Sequence, residues 1–251
     1  MLDTLTDLTG QISGLLWGSP ITLLVLLGTG IYLTFRMGLV QVRGFKHSVG
    51  LISGKYHDPS HQGEVSHFQA LATALSATVG TGNIAGVATA ISLGGPGALF
   101  WMWVTAFFGM ATKFTECTLS LKFREVDENG NISGGPMYTL FHGLKMKRTA
   151  SAFAAFALIA AFGIGNMVQA NSVVDGLSYV FPEAGDMGWL IGVGLAVLVG
   201  LVILGGVKRI AKVASAIVPF MAILYIAAAL IVLLNHIGEI PAALATIFNH
   251  A

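Results

Sequence analysis

The sequence predicts an all-α membrane protein, and three observations carry that prediction. Only 10% of its 251 residues are charged while 55% are hydrophobic, and the mean hydropathy is +0.78; a soluble domain carries roughly 25% charged residues. Six apolar stretches follow one another, at 20–35, 68–93, 97–121, 150–171, 188–206 and 213–234, and a helical crossing takes ~20 residues. Outside those stretches, every Lys and Arg falls on alternate connections.

The first stretch is short, and Leu15-Leu16-Trp17 extends it, with Trp17 as an interfacial anchor. A polar loop with Arg36, Arg43, Lys46, Lys55 and four histidines follows. A two-glycine turn, Gly94-Gly95, joins the second and third stretches. The segment 134–147 places Met137, Leu140, Phe141 and Leu144 on one side and ends in Lys145 and Lys147. It reads as a short amphipathic surface helix, with an ordinary packed loop as the alternative. The basic ends hold Lys122, Arg124, Lys145, Lys147, Arg148, Lys208, Arg209 and Lys212 in addition to the first loop. The opposite ends hold Asp3, Asp7, Asp175, Glu183, Asp186 and Glu239 and no cation. The positive-inside rule then predicts a multi-pass protein of the plasma (inner) membrane with its N-terminus outside. The start of the chain lacks the basic region of a signal peptide.

The second stretch differs from the others. Ser76-Ala77-Thr78-Val79-Gly80-Thr81-Gly82-Asn83-Ile84-Ala85-Gly86 lies at the middle of an uncharged run from Phe68 to Leu93. Two glycines one residue apart each weaken a helix by ~1 kcal/mol relative to Ala. Freed backbone groups are tolerated at that depth only where protein or a polar cavity satisfies them. A helix break at Gly80 and Gly82, between about Val79 and Gly82, is therefore the expected binding site. The N–H groups of Thr81, Gly82 and Asn83 would open the second half-helix and suit a substrate carboxylate. The carbonyls of Ser76, Thr78 and Val79 would close the first half and suit a hard cation, with the Asn83 side-chain oxygen as a further ligand. Close helix packing is the competing reading for such small residues, and it is the favoured one for Ala85, Gly86 and Ala88. Packing does not call for an Asn beside a helix breaker.

Asn166, Gln169 and Asn171 form a second polar cluster, in the fourth stretch. Asn166 and Gln169, three apart, share a helix face. Gln169 is the candidate to reach the substrate, against the alternative of an interhelical hydrogen bond; for Asn171 the interhelical bond is preferred. Lys113 and Glu116 are three apart near the inner end of the third stretch. They read as a structural ion pair, with a role in an inner gate as the sharper alternative. His57, Asp58 and His61 have a metal-like spacing that Pro59 disrupts, so no metal site is expected. The glycines of the break do not fit the dinucleotide fingerprint. Cys117 stands alone, which excludes an intrachain disulfide and a cysteine metal site. Asn131-Ile132-Ser133 is a sequon by pattern but falls on the expected cytoplasmic side. The spans hold no His or Asp, which argues against an enzyme, and neither a cofactor nor nucleic acid is expected.

Several of these motifs, in order along the chain, resemble the alanine/glycine:cation symporters (sodium:alanine symporter-like amino acid carriers). They are the segment from Gly80 to Ala88, Gly94-Gly95-Pro96-Gly97, Lys113-Phe114-Thr115-Glu116, Gly134-Gly135-Pro136-Met137-Tyr138, and the segment from Gly163 to Asn171. The resemblance implies a LeuT-like inverted-repeat transporter that carries small neutral amino acids such as alanine or glycine with Na+ or H+ by alternating access. It places Thr81 and Gly82 at a carboxylate-binding break and Asn83 as a cation ligand; the residues themselves add Thr78, Asn83, Asn166 and Gln169 as candidates around the substrate and Ser76, Thr78 and Val79 around the coupling ion. A channel-like or structural membrane module without coupled transport is the alternative. In that architecture residues 1–67 form an N-terminal segment with one peripheral helix and a loop, and 68–235 the first five-helix repeat. Residues 236–251, with the apolar run from Ile240 to Phe248, open a second repeat. Only the first repeat and the peripheral helix are expected in this chain, as the N-terminal half of a longer carrier. Its expected partners are the amino acid, the bilayer and the second repeat.

Overall fold

The computed structural model describes residues 2–56, 63 and 65–251. His57, Asp58 and His61 lie outside the described residues.

Helix α1 (Leu2–Trp17) and helix α2 (Pro20–Arg36) meet at an angle of 42°. The extension of the first span into Leu15-Leu16-Trp17 comes with a bend, because Gly18-Ser19-Pro20 ends one helix and starts the next. Ser19 Oγ accepts a hydrogen bond from the Ile21 N–H at 3.3 Å, and Pro20 fills the first helical position, where no N–H donor is needed.

The first part of the expected polar loop after α2 is largely helical. Gly38 and Leu39 take left-handed backbone angles (φ 62° and 53°) and turn the chain into α3 (Val40–Arg43) and α4 (Phe45–Ile52). Gln41 ties this arm down. Its Nε2 donates to Thr34 Oγ1 at 2.7 Å and to the Phe107 carbonyl at 3.1 Å.

Helix α5 (His67–Thr78) opens with a reciprocal cap between Ser66 and Gln69, and α6 (Thr81–Gly94) continues the same span beyond a break. Helix α7 (Gly97–Lys122) leads into a short antiparallel pair, β1 (Glu125–Val126) and β2 (Ile132–Ser133). The amphipathic segment around Met137 forms α8 (Pro136–Tyr138) and a π-helical turn, Thr139–Gly143. The fourth span comprises α9 (Lys147–Phe162), a π-helical stretch Gly163–Met167, and α10 (Val168–Val180). It runs well past residue 171, where the sequence reading ended it. Helices α11 (Gly188–Ile203), α12 (Gly206–Asn235) and α13 (Ile240–Asn249) complete the described chain.

By length and composition, three described helices can cross a membrane: His67–Gly94 taken through its break, Lys147–Val180 and Gly206–Asn235. The bent α1–α2 pair makes a fourth. Six stretches were expected. Of the other two, α7 is 26 residues long but carries Lys113 and Glu116, and α11 has only 16 residues.

The interior is built from small side chains. The buried hydrophobic residues are Ala72, Ala111, Ala150, Ala211, Ala214 and Val218, together with the polar Thr34. Helix α5, with Ala72, packs on α12, which carries Ala211, Ala214 and Val218, and α2 packs on α7 with Gly30 against Phe108. Large apolar side chains such as Leu24, Phe156, Phe220 and Ile223 point outward. In water this distribution would be unfavourable, and in lipid it is expected, because helices there associate through close-packed small residues.

Candidate functional site

The break in the second span is short. The first half-helix closes with the Val79 N–H donating to the Leu75 carbonyl at 2.7 Å. The second opens with the Asn83 N–H donating to the Gly80 carbonyl at 3.1 Å. Val79 and Gly80 both have extended backbones (ψ 103° and −158°) and so belong to neither helix. The carbonyls of Ser76, Ala77 and Thr78 and the N–H groups of Thr81 and Gly82 are thereby left out of the helical ladder. The halves still run on as one 28-residue span, so the break is a gap in the ladder without a sharp turn.

The expected site residues fall around this gap as follows. Val79 and Gly80 are the break itself. Thr81, Gly82 and Asn83 form the first turn of α6, so Gly82, expected as part of the break, lies just inside the second helix. The side chains of Asn83 and Thr78 are exposed, and Thr81 is half-buried. Thr78 Oγ1 donates to the Ala74 carbonyl at 2.8 Å, and Ser76 Oγ to the Thr73 carbonyl at 2.7 Å. Each hydroxyl has spent its proton inside α5, which leaves its oxygen lone pairs as the group it can offer a cation.

One distant residue reaches the gap. The Gln169 carboxamide lies so close to Gly80 that a methyl group placed there would sit 3.1 Å from Nε2 and 3.3 Å from Oε1. Glycine is what permits this approach. Asn166 lies one turn earlier, exposed, within the π-helical stretch. Asn171 is engaged on its own helix, donating through Nδ2 to Asp175 Oδ2 at 2.8 Å.

The π-helical stretch Gly163-Ile164-Gly165-Asn166-Met167 was not foreseen in the sequence. Its signal was present in Gly163 and Gly165, a second pair of glycines one residue apart. Such wide turns arise where the i→i−4 ladder is weakened, and they are frequent at functional sites. Two interrupted helices therefore meet through Gln169 and Gly80.

Away from the gap, Lys113 Nζ donates to Glu116 Oε1 at 3.3 Å, and both side chains are substantially exposed (63% and 42%). They edge a cavity of about 340 Å3 between α2 and α7, into which Leu26, Leu27 and Phe108 also project. Thr112 lines the same cavity with its Oγ1 buried and unpartnered among the described residues. His142 Nε2 lies 2.5 Å from Glu125 Oε1, joining the π-helical turn to β1. No cluster of His, Cys, Asp and Glu that could hold a metal occurs among the described residues.

Long apolar helices, small-residue packing and an interrupted span together define a multi-pass helical membrane protein. The model of the Sodium:alanine symporter family matches residues 2–251, and the chain belongs to that family. Its members are transporters, not enzymes. Among similar proteins is the Sodium/alanine symporter AgcS of Methanococcus maripaludis, 52% identical over 98% of this chain and 54% of that protein. The putative sodium/proton-dependent alanine carrier protein YrbD of Bacillus subtilis is 44% identical over 98% of this chain and 49% of its own length. The probable sodium/glutamine symporter GlnT of Bacillus subtilis is 42% identical over 100% of this chain and 51% of its own. The chain spans about half the length of the curated relatives it matches.

Proposed function

We propose that the protein serves cation-coupled symport of a small neutral amino acid, alanine or glycine, in a LeuT-like carrier of the plasma membrane with its N-terminus outside. Residues 68–235 act as a five-helix repeat in that architecture. The single observation that carries this reading is the gap at Val79–Gly80 with the Gln169 carboxamide set against it. On the α6 side the N–H groups of Thr81 and Gly82 offer donors and the positive end of a helix dipole to a carboxylate. On the α5 side the carbonyls of Ser76 and Thr78 and the carbonyl of Val79 offer oxygens to a hard cation. Asn83 supplies a further oxygen from the first turn of α6. Gln169, which can both donate and accept, reaches the amino or carboxyl group of the substrate, and Asn166 stands one turn away on the same helix.

A bound cation neutralises the carbonyls that end α5 and fixes the gap in its open form. The amino acid then meets an assembled site, so ion binding and substrate binding support each other. The experiment is uptake of labelled alanine and glycine into proteoliposomes with an imposed Na+ gradient, an imposed proton gradient, or neither. Accumulation against the amino-acid gradient under one of the two ion gradients is the expected result. Equilibration without accumulation would favour a channel-like module.

A further inference from the structure

The arm formed by α3 and α4 carries a surface that neither the fold nor the transport site uses. From Arg36 to Tyr56 the chain holds Arg36, Arg43, Lys46 and Lys55 and no Asp or Glu. None of these four cations has a carboxylate partner among the described residues. On the same arm Val42, Phe45, Val49 and Ile52 recur at helical spacing, and they are 68%, 69%, 52% and 38% exposed. The spacing puts them in one stripe along the arm, since residues three and four apart share a face. Arg43 and Lys46 are interleaved with that stripe.

The arm is also held in place. Gln41 hydrogen-bonds to Thr34 and to the Phe107 carbonyl, and the left-handed turn at Gly38–Leu39 fixes its departure from α2. The side away from the stripe is occupied by the chain itself: the Tyr56 ring lies 4.9 Å from that of His47 and covers Gly50. The apolar stripe is thus directed outward by construction, and it is continuous in sequence with a membrane-crossing helix whose own leucines are exposed. An apolar stripe edged by cations that lack a carboxylate partner among the described residues, Arg43 donating only to the Met37 carbonyl at 3.5 Å, and beginning where a span ends, is the pattern of a helix lying in the headgroup layer. Cations immediately beside a span attract anionic lipid.

We infer that the α3–α4 arm lies in the bilayer interface and binds an anionic phospholipid surface, with Phe45 and Val49 seated among the upper acyl carbons and Arg43 and Lys46 against lipid phosphates. The proposal is independent of the substrate and of the coupling ion.

The test uses the protein with Cys117 replaced by Ser, and single cysteines at Phe45, Val49 or, as a water-exposed control, Glu128. Each cysteine carries an environment-sensitive fluorophore, and the protein is placed in vesicles of phosphatidylglycerol or phosphatidylcholine with or without brominated acyl chains. Brominated lipid is expected to lower the emission from positions 45 and 49 by about twofold or more and leave position 128 unchanged, with the larger drop in the anionic lipid. The double variant Arg43→Gln/Lys46→Gln, which leaves the apolar stripe intact, is expected to abolish the difference between the two headgroups. Quenching at 45 and 49 no greater than at 128 would overturn the proposal, because the stripe would then be covered by protein or water. Equal quenching in both lipids for the unsubstituted arm would overturn its electrostatic half.

Discussion

The carboxamide of Gln169 rests against Gly80, with only the absent Cβ of glycine making room for it. The contact joins the break in one span to the first turn after the π-helical stretch of another. A Gly80→Ala substitution must displace Gln169 or widen the gap, at a cost of about 1–3 kcal/mol for an overpacked contact. Alanine affinity in the variant is therefore expected to fall by roughly tenfold or more. Gly192→Ala is the internal control, because it lies on α11, outside the gap, and nothing lies within 4 Å of the added methyl group. Equilibrium binding of labelled alanine to both variants measures the difference. Equal affinities would show that Gln169 does not contribute to the site.

Asn83→Ala separates folding from coupling. Its backbone N–H to the Gly80 carbonyl survives the substitution, and Ala is a better helix former than Asn. The span is expected to form as before. Loss of one oxygen ligand should raise the cation concentration for half-maximal uptake by roughly tenfold or more. Unchanged cation dependence of uptake in this variant would remove Asn83 from the ion site.

The break was legible in the sequence because two glycines one residue apart weaken a helix, and the Asn beside them is not what close packing calls for. Its extent was less legible: Gly82 lies inside α6, since a glycine at the second helical position costs little once Gly80 has released the chain. Gln169 could be nominated from its polarity but not placed, because its contact with Gly80 depends on the π-helical stretch that shifts the register of α10. The arm after α2 has a loop's density of cations, and only the spacing of Val42, Phe45, Val49 and Ile52 between them marks it as helical. The bend at Gly18-Ser19-Pro20 is local capping chemistry, which hydropathy averaged over a whole span does not register.

Gly30 sets the distance between α2 and α7. A methyl group there would meet the Phe108 carbonyl oxygen at 3.0 Å and its carbonyl carbon at 3.1 Å, both backbone atoms of a packed helix. Gly30→Ala is expected to lower stability by about 1–3 kcal/mol, read as a drop in the thermal unfolding midpoint in detergent. Gly28→Ala, with nothing within 4 Å, should be neutral or mildly stabilising. A neutral Gly30→Ala would mean that the two helices are not held at this crossing.

The β1–β2 turn supplies a pH-dependent element outside the spans. Asp127 accepts from the Asn131 side chain at 2.8 Å, from the Asn131 N–H at 2.7 Å and from the Asn129 N–H at 2.9 Å. These bonds, the Asn131 side chain foremost, hold the Asp127 carboxyl below its ordinary value. A carboxylate depressed on folding contributes order above its unfolded pKa and loses that contribution as the pH falls through its folded pKa. Amide exchange at Gly130 and Asn131 is therefore expected to accelerate only on acidification through that range. Asn131→Ala should move the Asp127 titration, followed by NMR, upward toward an ordinary aspartate. No upward movement would show that the turn does not set this pKa.

Lys113 and Glu116 distinguish a structural pair from a gate. In water an exposed pair of this kind contributes about 0–1 kcal/mol. Within a span the single charge left by removing its partner is costly, about 2.5–3.5 kcal/mol at a helix centre and less toward an end. Glu116→Gln alone is thus expected to destabilise the protein more than the double replacement Lys113→Gln/Glu116→Gln, in which neither charge remains. Thermal unfolding of the two single variants and the double variant gives the coupling energy, about 0.5–1 kcal/mol for a purely structural pair. A gate would behave otherwise: the double variant would keep its stability while its alanine uptake rate changed severalfold, because the pair would then open and close during transport.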